Sequence, residues 1–185
     1  MRRDDKSWKN STRISRDLVA KGAIIDYYQD TMQIPNGNIA KWDLIDHKGA
    51  AAVVAVREDG KLLMVRQYRN ALERETLEIP AGKLDAPGEP KIECAYRELE
   101  EETGYRCKKL EYLMSLNTTV AFCDEAIDVF VARDLIPSKQ QLDEDESINV
   151  ERWNLENLQE LIYTGKMTDA KTVAAIMAYA AKYGK

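Results

Sequence analysis

The chain has 185 residues, with 27 lysines and arginines against 32 aspartates and glutamates, a net charge of −5. That length holds one sizeable core with a small extra lobe, and the acidic balance argues against a general nucleic-acid surface. Cys94, Cys107 and Cys123 lack C-x-x-C spacing, no stretch is apolar enough for a membrane span, and MRRDDKSW has no signal-peptide core; a cytoplasmic protein with reduced thiols is expected.

Residues 22 to 46 read as a β-hairpin around the Pro35-Asn36-Gly37 turn, and 1–48 is set apart as an N-terminal β lobe. The main domain, 49–185, opens with AAAVVAV and KLLMVRQY, two strands flanking the Asp59-Gly60 turn. ERETLEIP then leads into a loop at Pro80-Ala81-Gly82. Further strands are expected near 107–116, 126–132 and 148–153, with the polar stretch SKQQLDEDES before the last. Two C-terminal helices are signalled by capping residues at Asn154 and Asp169 and by apolar periodicity. The single histidine, His47, excludes a site built from several histidines.

Between these strands, Glu89 to Gly104 (EPKIECAYRELEEETG) reads as a helix with Glu98, Glu101 and Glu102 on one face. Ile92, Ala95, Tyr96 and Leu99 form the opposite, apolar face, and Gly104 stands where a C-cap glycine would. Acidic helix faces are commonly just solvated. Here the fixed orientation, the glycine stop and the upstream Pro80-Ala81-Gly82 loop favour a site for a hard divalent cation. Mg²⁺ in turn implies a phosphate substrate.

Gly82, Glu89, Arg97-Glu98-Leu99, Glu101-Glu102 and Gly104-Tyr105 resemble the Nudix box. One departure is that six residues, Lys83 to Gly88, separate the glycine from the first glutamate, where the family usually has five. The extra residue falls in the Asp85-Ala86-Pro87-Gly88 turn, where an insertion leaves the helix register intact. The resemblance implies an α/β (α+β) fold, the Nudix-type α/β/α sandwich with a mixed sheet, plus the small N-terminal β-hairpin lobe.

A closer resemblance, to ADP-ribose pyrophosphatases, covers roughly residues 20 to 183. It rests on the hairpin, Val65-Arg66-Gln67-Tyr68-Arg69, Leu77-Glu78-Ile79-Pro80-Ala81-Gly82, Leu142-Asp143-Glu144-Asp145-Glu146 and Asp169-Ala170-Lys171-Thr172. It implies that Glu98, Glu102 and the Ala81 carbonyl bind metal, with Glu101 a shared or outer ligand. Arg97 would orient the ligands, with Glu89 behind it. Arg69 matches an arginine that holds phosphate or ribose oxygens, against the alternative of a surface charge at a strand end. Trp42 is either an adenine stack or an interface anchor, and Glu125 matches a substrate-contacting glutamate. Glu144 is the general-base candidate, with Glu146 as the neighbour able to replace it. The family's Ser-Pro-Gly loop is replaced by Thr119-Val120-Ala121, which alters the backbone freedom near the terminal sugar.

The resemblance implies a Mg²⁺-dependent (Mn²⁺ also usable) pyrophosphohydrolase that splits ADP-ribose into AMP and ribose 5-phosphate. It also implies a homodimer through the N-terminal lobe, with no nucleic-acid or membrane partner. Another nucleoside diphosphate sugar, such as a GDP- or UDP-sugar, is the alternative substrate. A non-catalytic nucleotide-sensing module is a further reading, although no box carboxylate is missing. Cleansing of oxidised nucleoside triphosphates fits less well with the extra lobe.

Overall fold

The computed structural model describes residues 11–86, 88–144 and 146–184. The opening MRRDDKSW, Pro87 of the Asp85–Gly88 turn and Asp145 of the acidic loop lie outside the described residues. The chain divides into two compact units, one reaching to His47 and taking in Thr119–Glu125, the other formed by Lys48–Thr118 and Ala126–Lys185.

The first unit is an antiparallel sheet in the order β1 (Thr12–Lys21), β2 (Asp26–Gln33), β3 (Ile39–Asp46). The β2–β3 hairpin turns through Gly37 at φ 89°, a left-handed conformation that glycine adopts without steric cost. The first strand was not expected. Almost all of it is exposed, so it carries no apolar alternation to read. It is held to β2 partly by a forked pair, Arg16 Nε to Asp30 Oδ1 at 2.7 Å and Nη2 to Oδ2 at 2.8 Å. The segment Thr119–Glu125 joins this unit through the Ile45 N–H, which donates to the Phe122 carbonyl at 2.6 Å.

The second unit begins with β4 (Ala50–Val56), β5 (Leu62–Arg69), β6 (Arg74–Glu78) and β7 (Ala81–Lys83), followed by α1 (Lys91–Thr103). It continues through β8 (Tyr105–Arg106), β9 (Leu110–Asn117), β10 (Ala126–Ala132), β11 (Ile136–Pro137) and β12 (Ile148–Trp153) to α2 (Leu155–Tyr163) and α3 (Ala170–Tyr183). The main sheet runs β12-β5-β4-β10-β9, with β6 beside β5 and β7 beside β4. β10 is parallel to β4 and the other pairs are antiparallel, so the sheet is mixed.

β4 explains the layering. Its seven residues are all buried, because successive side chains feed opposite cores. Ala50, Ala52, Val54 and Val56 pack with Leu158 of α2 and Ala175 and Ile176 of α3. Ala51, Val53 and Ala55 pack with Cys94, Ala95 and Leu99 of α1. Helices therefore cover both faces, giving an α/β/α sandwich. Truncating the fully buried Leu99 to alanine would cost roughly 2–5 kcal/mol and loosen α1 from the sheet.

One local expectation is corrected. Ala81–Lys83 is a short strand, not a loop: Ala81, Gly82 and Lys83 pair antiparallel with Ala52, Ala51 and Ala50. Pro80 cannot donate, but its carbonyl accepts the Val53 N–H at 2.9 Å and fixes the strand's entry.

Candidate active site

α1 starts after Pro90 and ends at Gly104, whose φ of 70° supplies the left-handed stop. Its apolar residues Cys94, Ala95 and Leu99 anchor it to the sheet, which turns Glu98 and Glu102 towards β7. These two carboxylates are not a solvated face: Glu98 is 8% exposed and Glu102 is 3% exposed. The Ala81 N–H donates to Glu102 Oε2 at 2.9 Å. Gly82 makes room for Glu98, since a Cβ there would lie 2.0 Å from Glu98 Oε1. A glycine in a strand commonly marks such a close approach.

Arg97 stands amid four carboxylates. Its Nη1 donates to Glu98 Oε1 at 2.7 Å and to Glu101 Oε2 at 2.9 Å, and its Nη2 donates to the Lys83 carbonyl at 3.0 Å. Its buried Nε faces Asp85 at 3.2 Å and Glu89 at 3.6 Å without hydrogen-bond geometry. Glu89 Oε2 in turn accepts the Asp85 N–H at 2.7 Å, so the turn before the helix is tied to the same cluster.

Burial dominates the electrostatics. It pushes the Glu98 carboxyl up to about 7, with Arg97 opposing and Glu101 and Glu146 adding like charge. Burial likewise pushes Glu102 up to about 8, opposed by the Ala81 N–H and reinforced by Glu98 and Glu146. The charge of Glu146, on the acidic loop, thus reaches both box carboxylates. Glu144 lies two residues earlier in the same loop, at an exposed turn.

Among the described residues, no three His, Cys, Asp or Glu side chains stand together as a metal-binding group. Arg97 Nη1 instead takes oxygens of both Glu98 and Glu101. The donor chemistry nevertheless fits a hard divalent cation. It consists of carboxylate oxygens beside the Ala81 backbone, with two buried acids close enough that Glu98 raises the proton affinity of Glu102. Such acids are stabilised in their ionised form by a positive ion in reach.

A second cluster lies beside the first. Arg69, at the end of β5, makes a forked pair with Glu78, Nε to Oε1 and Nη2 to Oε2, both at 2.7 Å. The Glu78 side chain is 2% exposed and also accepts from Lys171 Nζ and Thr76 Oγ1. Burial alone would raise its carboxyl, yet Arg69 and Lys171 together hold it down to about 2. Lys171 also donates to Asp169 at 2.9 Å, and Asp169 caps α3 through the Thr172 N–H at 3.1 Å. Thr172 Oγ1 accepts the Ile79 N–H at 3.0 Å.

The second unit thus gathers Ala81, Arg97, Glu98, Glu101 and Glu102, with Arg69 in the neighbouring cluster. Trp42 and Glu125 belong to the first unit. There Trp42 lies on β3 opposite Asp30 and is 49% exposed, while Glu125 Oε1 stands 3.5 Å from His47 Nδ1. Sequence reasoning assigned no part to Glu78, Lys171, Thr172 or Asp85. The available signal was a glutamate between Leu77 and Ile79, a charge within an otherwise apolar run entering the box.

Comparison with known proteins identifies the family and the fold. The NUDIX domain family model matches residues 46–176. The chain is 43% identical over 173 residues to the ADP-ribose pyrophosphatase of Bacillus subtilis (strain 168), covering 92% of each. It is 38% identical over 165 residues to the methanol dehydrogenase activator of Bacillus methanolicus, covering 88% of this chain and 89% of that one. A solved structure described as an ADP compounds hydrolase superposes with a TM-score of 0.83 over 97% of this chain and 100% of its own, at 24% identity, and supports the fold. The fold and acidic helix define a Nudix-type hydrolase domain. The chain belongs to the NUDIX family and is a Nudix hydrolase, an enzyme class that generally works with a divalent metal ion.

Proposed function

We propose that this Nudix hydrolase cleaves ADP-ribose to AMP and ribose 5-phosphate, using Mg²⁺ or, in its place, Mn²⁺. The observation that carries the reading is the buried Glu98–Glu102 pair against Ala81 and Gly82, in a chain so similar to an ADP-ribose pyrophosphatase. Glu98, Glu102 and the Ala81 carbonyl would hold the metal, with Glu101 sharing or backing them. When bound, the metal would supply positive charge that neutralises the diphosphate and polarises its phosphorus.

The remaining work falls to this chain's own residues. Arg97 and Glu89 orient the ligand carboxylates, as their contacts permit. Arg69 presents its guanidinium to the phosphates, a planar donor suited to paired hydrogen bonds. A loop carboxylate removes a proton from the attacking water. We assign that role to Glu146 rather than Glu144, because its charge reaches both box acids. The water oxygen bonds to one phosphorus, the bridging P–O bond breaks, and the proton count balances on release of two phosphomonoesters. Trp42 and Glu125 are proposed as contacts to the adenine and terminal ribose.

The same reading makes the protein a cytoplasmic homodimer with no nucleic-acid or membrane partner. Exposed Ile14, Leu18 and Val19 on the N-terminal sheet suit burial against a second copy. Among the described residues, no helix is long and apolar enough to cross a membrane. Incubating purified protein with Mg²⁺ and a panel of ADP-ribose, GDP-sugars and UDP-sugars, then separating the products by chromatography, tests the substrate. AMP from ADP-ribose supports the assignment, and an intact ADP-ribose pool overturns it.

A further inference from the structure

Lys171 occupies a costly position. It lies in the first turn of α3, where the helix dipole disfavours a cation, and its side chain is 11% exposed. Burying an ammonium is unfavourable until its partners offset the lost hydration. Those partners are Glu78 and the cap residue Asp169. Glu78 has two oxygens, and both also receive Arg69 nitrogens. The order of contacts is thus Asp169, Lys171, Glu78, Arg69. The Thr172–Ile79 bond pins α3 to the residue just before Pro80 and Ala81. Glu102 lies within electrostatic reach of both Lys171 and Arg69. For stability alone, apolar residues of similar volume would serve this position as well.

We propose that Lys171 is a positioning residue for the substrate diphosphate: by fixing Glu78, it sets the plane in which Arg69 presents its guanidinium. This rests on the reading above, in which Arg69 meets the phosphates. With Lys171 absent, Glu78 keeps a single cationic partner and is free to draw Arg69 inward, away from substrate. The loss falls on substrate capture rather than on the attack of water.

The test measures kcat, KM and thermal midpoint with ADP-ribose and Mg²⁺ for wild type, Lys171→Met, Lys171→Arg and Glu78→Gln. Lys171→Met is expected to raise KM about tenfold or more while kcat changes by about threefold or less. Lys171→Arg recovers most of the loss, because the cation on Glu78 is restored. Adding Lys171→Met to Arg69→Ala brings no further rise in KM, as expected when one residue acts through the other. Glu78→Gln reproduces the KM effect and keeps the proposal testable if Lys171→Met fails to fold. Unchanged KM in the folded variants, or independent, multiplying losses in the double variant, overturns this role while leaving the enzyme's identity intact. A wild-type protein that leaves ADP-ribose uncut overturns the parent reading and this one with it.

Discussion

Glu102 lies one helical turn beyond Glu98, and the two are held by different partners: the Ala81 N–H at 2.9 Å and the Arg97 Nη1 at 2.7 Å. Both are buried acids whose protons are held more tightly than in the unfolded chain, at about 8 and about 7. A carboxyl with a raised folded pKa favours unfolding as pH climbs from its unfolded value to its folded one, because the native state binds more protons across that window. The metal-free protein should therefore lose stability between pH 4.5 and 8. Added Mg²⁺ should restore it, with a thermal shift that grows over the same interval. Melting curves with and without Mg²⁺ at several pH values check this, and a shift independent of pH contradicts it.

Gly82→Ala places a methyl group on the Glu98 carboxylate, 2.0 Å from its Oε1. The obstruction is the mobile end of a side chain, so the fold survives and the carboxylate moves. Turnover should drop by about two orders of magnitude or more, while the thermal midpoint changes by only a few degrees. Comparable losses in both would mean that the glycine serves the sheet alone.

The two loop acids separate by a single comparison. Glu146→Gln should lower kcat by roughly two to four orders of magnitude with KM little changed, whereas Glu144→Gln stays within about tenfold of wild type. The reverse ranking assigns the proton transfer to Glu144.

Glu78 titrates in the opposite sense to the box acids. Its folded carboxyl is held at about 2 by Arg69 and Lys171, below the ordinary 4.5. Its stabilising contribution is complete above the unfolded value and is lost as pH falls from 4.5 towards 2. Acid denaturation of wild type should thus be steeper across that window than that of Glu78→Gln, which should already be less stable at pH 7. Parallel acid curves for the two proteins would remove the buried pairing from the account.

Much of this architecture was legible where apolar spacing is strong. The expected strand ranges 126–132 and 148–153 coincide with β10 and β12, and the helix closed by Gly104 runs one turn or less from its expected start. The acidic face was legible as charge identity and spacing, but not its burial, which comes from β7 pairing with β4. Strand β1 was hidden by charged residues on both faces. The cationic partners of Glu78 come from β5 and from α3, 9 and 93 residues away along the chain. The association of Thr119–Glu125 with the N-terminal unit is equally non-local. Periodicity within a window cannot see such pairings.

The central claim is tested most directly by steady-state turnover of ADP-ribose in saturating Mg²⁺ by Glu102→Gln, with its melting curve recorded beside it. The account predicts AMP formation reduced by about three orders of magnitude, in a protein whose metal-free form is at least as stable as metal-free wild type at pH 8, since a buried carboxylate has been neutralised. Turnover within about tenfold of wild type would contradict it.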